Sequence, residues 1–169
     1  MTAATEIFST EEISSTILLT FASEKPFNSV VADLEAQLGR LDQESSAQQS
    51  PENLPEAIKQ MEGSSGLMIV AMLEMDKMLP SLIANERRAR QYLIGNPLVA
   101  SAFCSAEVTA ALYAPPRVLV FSTASGTAIA YDKPSSVFEK FPSIANGDGA
   151  KLAKSLDEKF ERLARNALS

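Results

Sequence analysis

The sequence predicts an α+β domain with helices on one face of a mainly antiparallel sheet of about four to five strands. Segments rich in large apolar and β-branched residues alternate with segments of helical periodicity. Two apolar runs, residues 117–122 and 127–131, flank a short turn that contains Gly126, which is the pattern of a β-hairpin. A length of 169 residues suits one domain with a substantial core, so we treat residues 1–169 as a single domain.

The first predicted strand follows an acidic N-terminal tail. Residues 1–12 lack the basic and apolar segments of a signal peptide, and we expect a tail there. In residues 13–22, the side chains of Ile17, Leu19 and Phe21 recur at a period of two and would share one face. This pattern predicts a strand with one buried face.

A predicted helix and a polar segment come next. Apolar side chains recur at helical spacing over residues 27–41, which predicts an amphipathic helix with Asn28 or Ser29 as its cap. Residues 42–55 are polar and poor in apolar side chains, so we expect a surface loop within the domain. Residues 55–61 are compatible with a short helix.

The middle of the chain contains the most apolar run. Residues 67–75 are almost continuously apolar, which predicts a buried central strand. Residues 88–94 fit either a strand or the end of a helix, because their periodicity is ambiguous. Asn96 and Pro97 are typical of a helix start, with asparagine as the cap and proline in the first turn. In that helix we expect Cys104 to pack as a small buried apolar residue.

The C-terminal part contains the hairpin and a last helix. Pro115 and Pro116 fix an extended approach to the first hairpin strand, because proline restricts its own backbone and that of the preceding residue. After the hairpin, Ser135 or Ser136 would cap a short helical turn. Apolar side chains repeat at helical spacing over residues 152–167, which predicts the final helix.

Composition excludes several classes of function. The net charge of −6 and the pI of about 4.8 argue against a nucleic-acid partner, which needs a basic surface. The absence of histidine excludes catalytic triads and histidine metal sites. The single cysteine excludes an intrachain disulfide and a cysteine metal cluster. We therefore expect neither a metal nor a cofactor.

The apolar runs are short. The longest, residues 67–73, cannot span a bilayer, so we expect no membrane partner. A single cysteine also fits a reducing compartment. Together these features predict a cytoplasmic protein.

Arg117 is the first candidate for a ligand-binding residue. It follows two prolines at the start of a strand that we expect to be half-buried. A buried guanidinium needs a carboxylate partner or a bound anion. Asp132 directly follows the second strand of the hairpin and is the favoured partner, because the pair would lock the two ends of the hairpin together. An anionic ligand is the alternative.

Carboxylates and a tyrosine form a second candidate site. Asp132 or Glu74 would act as a base and Tyr131 as an acid, with Arg117 binding a carboxylate or enolate. Glu74, Asp76 and Asp132 would shift one pKa upward, or bind a hard cation, if the fold brings them together. The alternative is that these carboxylates lie on a solvated edge.

Large side chains supply candidates for the apolar part of a pocket. Tyr113 and Tyr131 combine an apolar ring with a hydroxyl that can line a pocket. Met68, Met72 and Phe103 would form an adaptable apolar wall between the sheet and its helices. Ordinary core packing explains the same residues equally well.

Three sequence blocks resemble one known family. GNPLVA at residues 95–100, LYAPPRVLVF at 112–121 and IAYDKPSSVF at 129–138 occur in the order and spacing of the domain-of-unknown-function 302 family. The resemblance extends from Ile13 to the final helix. It implies a curved antiparallel sheet in a β-α-β-β-β-β-α arrangement, similar to TATA-binding-protein-like folds, and often a homodimer. It implies no DNA binding and no assigned activity, because a fold does not carry a function.

The chain departs from the family pattern in two places. Residues 42–55 form a longer segment than in compact members. Longer members often carry a histidine after the second strand, where this chain has Glu74, Met75, Asp76 and Lys77. A role built on that histidine therefore does not transfer to this chain.

Three functions remain open from the sequence. The first is a small-molecule-binding module for a partly apolar ligand, anionic or neutral, whose polar end Arg117 and Tyr131 would orient. The second is a cofactor-free lyase, isomerase or cyclase that uses Asp132 or Glu74, Tyr131 and Arg117. The third is a homo-oligomeric scaffold without a ligand.

Overall fold

A single sheet organises the protein. The computed structural model describes residues 13–169, so the expected tail at residues 1–12 lies outside the described residues. The strands are β1 (Leu18–Ser23), β2 (Gly39–Arg40), β3 (Met68–Glu74), β4 (Ala89–Gly95), β5 (Arg117–Thr123) and β6 (Gly126–Asp132). These six strands form one sheet in the order β1-β6-β5-β4-β3-β2, which is one strand more than the upper end of the expected range.

Helices connect and flank the strands of this sheet. They are α1 (Phe27–Glu35), α2 (Gln43–Ala47), α3 (Leu54–Gln60), α4 (Met75–Met78), α5 (Pro80–Ala84), α6 (Pro97–Ala106), α7 (Pro134–Phe138) and α8 (Gly147–Leu168), and residues Val108–Tyr113 form a 3-10 helix. Every strand pair is antiparallel except β2 with β3. The predicted α+β class with a mainly antiparallel sheet is confirmed. Among residues 13–169, no helix combines the length and the apolar character needed to cross a membrane.

The core lies between the sheet and the pair of helices α1 and α8. Tyr92 of β4, Val118 of β5 and Tyr131 of β6 are neighbours in one cross-strand row, and all three are buried. Leu34 of α1 and Phe160 of α8 belong to the same apolar cluster. Burial of these side chains supplies most of the driving force for folding.

The first strand starts later than the sequence pattern predicts. β1 begins at Leu18, and Ile17 lies outside the strand with 53% of its surface exposed. Leu19 and Phe21 do share the face that packs against the core. The alternation of residues therefore predicted the face of the strand correctly but not its first residue.

Helix α1 is shorter than predicted and is not capped by a side chain. The carbonyl oxygen of Pro26 accepts hydrogen bonds from the amides of Ser29 and Val30, so neither Asn28 nor Ser29 is the cap. The helix ends at Glu35, and the chain then turns so that Gly39 donates its amide to Leu67 in the parallel pairing of β2 with β3. The helical spacing of apolar residues continues past the end of α1, because Leu38 is buried although it lies outside the helix.

Several connecting segments are more helical than predicted. The polar segment 42–55 contains α2 and the start of α3, and Asp42 caps α2 by accepting the amide of Ser45 at 2.9 Å. Of the ambiguous residues 88–94, all but Arg88 belong to strand β4. The second predicted strand ends at Glu74, because the chain continues directly into α4.

The helix starts on either side of the hairpin differ from each other. Asn96 caps α6 as predicted, with its Oδ1 accepting the amide of Leu98 at 2.9 Å. α7 has no side-chain cap, because Ser136 donates its hydroxyl to the carbonyl of Lys133 instead. Cys104 is half-buried in α6, so it is less enclosed than predicted.

Two glycines allow two chain segments to cross in close contact. A methyl group on Gly39 would overlap the carbonyl oxygen of Met61 and lie 2.8 Å from the amide nitrogen of Gly63. We therefore expect Gly39→Ala to lower the free energy of unfolding by about 2 kcal/mol or more, as measured by urea denaturation. The control Ser64→Ala changes an exposed neighbour and should stay within about 0.5 kcal/mol of the wild type. Equal losses in both variants would contradict this account.

Candidate functional site

Two neighbouring cavities lie at one end of the sheet, where β4 and β6 end and β5 begins. The proline segment, defined as residues 114–116, forms a wall of both cavities, as does Phe138. We call the one that reaches α8 the inner cavity and the one that reaches Arg117 the outer cavity. Their volumes are about 240 Å³ and about 250 Å³, respectively.

The inner cavity is apolar. Its walls come from α6, α8 and the strands β3 and β4, and they include Val70, Val99, Ala100, Phe103, Leu156 and Phe160. Asn96 is its one amide side chain, and it is already fully engaged. Its Nδ2 donates to Glu62 at 2.6 Å and to the carbonyl of Gly66 at 3.1 Å, while its Oδ1 caps α6. The inner cavity therefore offers apolar surface and little else.

A pair of stacked aromatic rings contributes to the walls of both cavities. Phe103 of α6 stacks on Phe138 of α7, with ring centres 4.1 Å apart and an angle of 12° between the planes. Both rings are almost fully buried. Because stacked rings have little rotational freedom, this pair fixes the position of α6 relative to α7.

The outer cavity combines apolar walls with two charged residues. Leu93 of β4 pairs with Arg117 of β5, and Asp132 follows the Tyr131 that pairs with Val118, so Leu93, Arg117 and Asp132 form one cross-strand row. Side chains alternate along a strand, so this row lies on the face opposite to Tyr131. Leu112, Tyr113, Pro115, Pro116 and Val137 complete most of the wall.

The predicted ion pair between Arg117 and Asp132 does not form. Arg117 is exposed and makes no ion pair with any residue of the described range 13–169. Asp132 instead accepts a hydrogen bond from the Thr16 hydroxyl at 3.2 Å. The expectation that Arg117 is half-buried is also wrong, because the strand starts at the edge of a cavity and not within the core.

Tyr131 does not meet Arg117 or Asp132. It points towards the helices, where its ring packs against Phe21 and Phe160. Its hydroxyl is buried and has no hydrogen-bond partner within the described part of the chain. Burial raises the pKa of Tyr131 far above its usual value, so the hydroxyl releases its proton less readily than a free tyrosine. The structure therefore does not assemble the acid–base arrangement predicted with Tyr131.

The carboxylates of the predicted cluster lie far apart in the sheet. Strands β4 and β5 lie between Glu74, at the end of β3, and Asp132, on β6. Glu74 pairs with Lys77 at 2.8 Å and with Arg90 at 3.2 Å, and Asp76 pairs with Arg88 at 2.7 Å. The hydrogen bond from Lys77 lowers the pKa of Glu74, which makes Glu74 a weaker base. Residues 13–169 contain no carboxylate or cysteine group suited to a metal ion.

The remaining residues that were predicted to bind a ligand do not line one common cavity. Tyr113 lines the outer cavity, and the ammonium of Lys140 lies 3.2 Å from the centre of its ring. Phe103 lines the inner cavity. Met68 is fully buried beside Gly95, Met72 is 36% exposed, and neither lines either cavity.

Sequence reasoning missed several residues that form the cavities. Leu112 belongs to a 3-10 helix that no periodicity indicated, and Phe138 and Val137 belong to a helix of five residues. Pro115 and Pro116 predict the direction of the following strand, and the structure shows that they also form a wall of both cavities. A useful clue was present, because apolar residues surround the prolines in the blocks at 112–121 and 129–138.

A partly buried polar network lies on the helix side of the sheet, away from both cavities. The Tyr92 hydroxyl donates to Glu35 at 2.8 Å, and the Arg90 guanidinium lies 3.6 Å from the same carboxylate and 3.2 Å from Glu74. Burial of Tyr92 and its hydrogen bond to Glu35 raise the pKa of Tyr92 to about 12. This network links α1 to β3 and β4 and has a structural role.

Comparison with known proteins identifies relatives without an assigned function. The family described as "Domain of unknown function DUF302" matches residues 41–166. The crystal structure of an uncharacterized conserved DUF302 protein from Bacillus stearothermophilus is similar, with 12% identity and a TM-score of 0.59. The similarity covers 89% of this chain and 97% of that one. At this identity the similarity shows a shared fold alone. No curated protein matches the chain.

Filling the inner cavity should stabilise the protein. Ala100 of α6 lines this cavity, whereas Ala102 of the same helix is exposed. We expect Ala100→Leu to raise the free energy of unfolding by about 1 kcal/mol, because the added side chain is buried in existing space. Ala102→Leu is the matched control and should change it by less than about 0.5 kcal/mol. A loss of stability in Ala100→Leu with an unchanged control would show that the cavity cannot accept the side chain.

The high pKa of Tyr92 predicts a fall in stability with rising pH. Unfolded tyrosine ionises near pH 10, and folded Tyr92 ionises at about 12, so the folded state retains a proton between these values that the unfolded state has lost. The stabilisation from this tyrosine is complete below about pH 10 and decreases as the pH rises to about 12. Denaturation at several pH values should show a shallower decrease for Tyr92→Phe than for the wild type. Parallel pH profiles would contradict the assignment.

Proposed function

The chain belongs to the domain-of-unknown-function 302 family, whose name assigns no activity, and from its own geometry we propose that the outer cavity binds a small, partly apolar molecule that carries an anionic group. Arg117 would bind the anionic group. The apolar walls of the cavity would contact the remainder of the ligand. Tyr113, a second residue predicted to bind a ligand, lines the same cavity.

One observation carries the proposal, namely that the Arg117 guanidinium pairs with no carboxylate of residues 13–169 and lines a cavity with mostly apolar side chains. In contrast, Arg88, Arg90 and Arg165 each pair with a carboxylate in the described range. Guanidinium groups bind carboxylates through charge-assisted hydrogen bonds, which are stronger than neutral ones. Apolar walls beside such a group are the usual composition of a small-molecule site.

The wall of the outer cavity is firmly held. Lys140 packs over the ring of Tyr113, and Tyr113 packs against Phe141 with ring centres 6.0 Å apart. The proline segment has little backbone freedom. A preformed wall favours binding, because little conformational entropy is lost when the ligand enters.

The other functions from the sequence have less support. An acid–base enzyme built on Tyr131 and Arg117 would need groups from opposite faces of the sheet. Homodimer formation stays a prediction that a sizing measurement at micromolar concentration can test. A cytoplasmic location and the lack of nucleic-acid and membrane partners also stay predictions.

The role of Arg117 can be tested with a matched pair of ligands. We expect 4-methylpentanoate to bind the wild type more tightly than its uncharged amide, in isothermal titration calorimetry. Arg117→Gln should weaken the binding of 4-methylpentanoate by about tenfold or more, because a charge-assisted hydrogen bond is lost.

Arg162→Gln is the control for this experiment, because Arg162 is exposed on α8 and does not line the outer cavity. It should leave the affinity unchanged. Equal affinity of the wild type for the acid and the amide, or no effect of Arg117→Gln, would contradict the proposal.

A further inference from the structure

We infer that the ligand of the outer cavity is a zwitterion, namely an α-amino acid with an apolar side chain. This inference rests on the proposed function and specifies its ligand. Arg117 would bind the carboxylate of the amino acid, and Asp132 would bind its ammonium group. The apolar wall would contact the side chain of the amino acid.

The two charged residues face the same cavity from adjacent strands. Val118 of β5 pairs with Tyr131 of β6, and Arg117 and Asp132 are the next residues on each strand, on the opposite face. Side chains at such neighbouring positions start about 5 Å apart, so they can reach each other. Both residues line the outer cavity. They nevertheless form no ion pair, since Arg117 pairs with no carboxylate between residues 13 and 169.

Asp132 retains a free acceptor. Its Oδ1 accepts the hydroxyl of Thr16 at 3.2 Å, and its Oδ2 has no hydrogen-bond partner in the described part of the chain. Lys133 is adjacent to Asp132 but does not pair with it, because the Lys133 ammonium pairs with Asp157 of α8 at 3.6 Å. The carboxylate of Asp132 is therefore available to an ammonium group.

The charge of Asp132 argues against a simple anion as the preferred ligand. An anion close to Arg117 would also be close to Asp132, and the repulsion would offset part of the attraction. A simple cation close to Asp132 would likewise be close to Arg117, and that repulsion would offset part of its attraction to Asp132. A molecule with both charges gains from both residues, and it also replaces the water around two charged groups with matched partners.

The apolar wall and the volume limit the ligand further. An α-amino acid carries its two charges on one carbon atom, which leaves the side chain free to point away from them. Leu93, Leu112, Pro115 and Val137 provide the apolar contacts for this side chain. An apolar cavity of about 150 Å³ is enough for a benzene ring. The outer cavity, at about 250 Å³, therefore has room for a leucine or phenylalanine side chain.

The test uses one amino acid and analogues that each lack one group. Isothermal titration calorimetry of the full chain would compare L-leucine with 4-methylpentanoate, which lacks the ammonium, with 3-methylbutylamine, which lacks the carboxylate, and with glycine, which lacks the side chain. We expect L-leucine to bind the wild type at least about tenfold more tightly than each of the other three, because each lacks one set of contacts.

Two variants assign the charges. Asp132→Asn retains an acceptor for Thr16, and it should bring the affinities for L-leucine and 4-methylpentanoate close together. Arg117→Gln should weaken both ligands in parallel. Asp148→Asn is the control, because Asp148 is 99% exposed and does not line the cavity. Thermal unfolding of each variant verifies that it is folded, and Asp132→Ser replaces Asp132→Asn if the latter is not.

The outcomes separate this inference from the proposed function. If the wild type binds 4-methylpentanoate as tightly as L-leucine, and Asp132→Asn does not change the ratio of the two affinities, the inference of a zwitterionic ligand is wrong. The proposed binding of an anionic group by Arg117 then still holds. If 3-methylbutylamine binds as tightly as L-leucine, the carboxylate contact is wrong, and the proposed role of Arg117 falls with it. If none of the four ligands binds, both proposals are wrong.

Discussion

The contact of the proline segment with the end of β4 determines the geometry of both cavities. A side chain on Gly95 would place its Cβ 3.1 Å from the Cβ of Pro115, so the missing side chain allows this approach. The amide of Ile94 donates to the carbonyl of Pro116 at 3.0 Å, which extends the pairing of β4 and β5 by one residue. The segment is thereby fixed as the wall between the inner and the outer cavity, and Arg117 becomes the first residue of β5.

The charged residues at the two ends of the sheet differ in whether they form ion pairs. Beside α1 and α4, Arg90 pairs with Glu35 and Glu74, and Arg88 pairs with Asp76. Within the described residues, only Asp76 Oδ1 and Arg90 Nε of this group are buried without a hydrogen-bond partner. Such contacts are expected where charged groups are partly buried, because an unpaired charge is costly there. At the other end, Arg117 lines the outer cavity and pairs with no carboxylate within the described range of residues 13–169. This contrast between the two ends is the main reason to assign a ligand to the outer cavity.

Local sequence signals predicted the parts of the fold that depend on neighbouring residues. Asn96 and Pro97 predicted the start of α6, and two apolar runs on either side of the turn at Gly126 predicted the hairpin of β5 and β6. Strand β4 remained ambiguous, because its charged and amide side chains interrupt the alternation and only its pairing with β3 and β5 settles its form. The short strand β2 gave no signal, because Gly39 and Arg40 become a strand only through parallel pairing with β3.

The candidate site shows the same division. Tyr131 and Asp132 are consecutive in a strand, so the alternation of side chains already implied that they point to opposite faces. That rule, applied strictly, separates Tyr131 from the site and retains Asp132. The cavities themselves were not predictable, because Leu112, Phe138 and the proline segment meet only in the folded chain.

The directions of the pKa shifts favour binding over acid–base catalysis. A general acid or base works best when its pKa lies near the working pH. The environment moves Tyr131 and Glu74 the other way, since burial raises the pKa of the tyrosine and Lys77 lowers the pKa of the carboxyl group. Arg117 and Asp132, in contrast, present opposite charges to a cavity with a rigid apolar wall. Such a pair can orient a molecule that carries both charges without transferring a proton, and this is the chemistry of recognition.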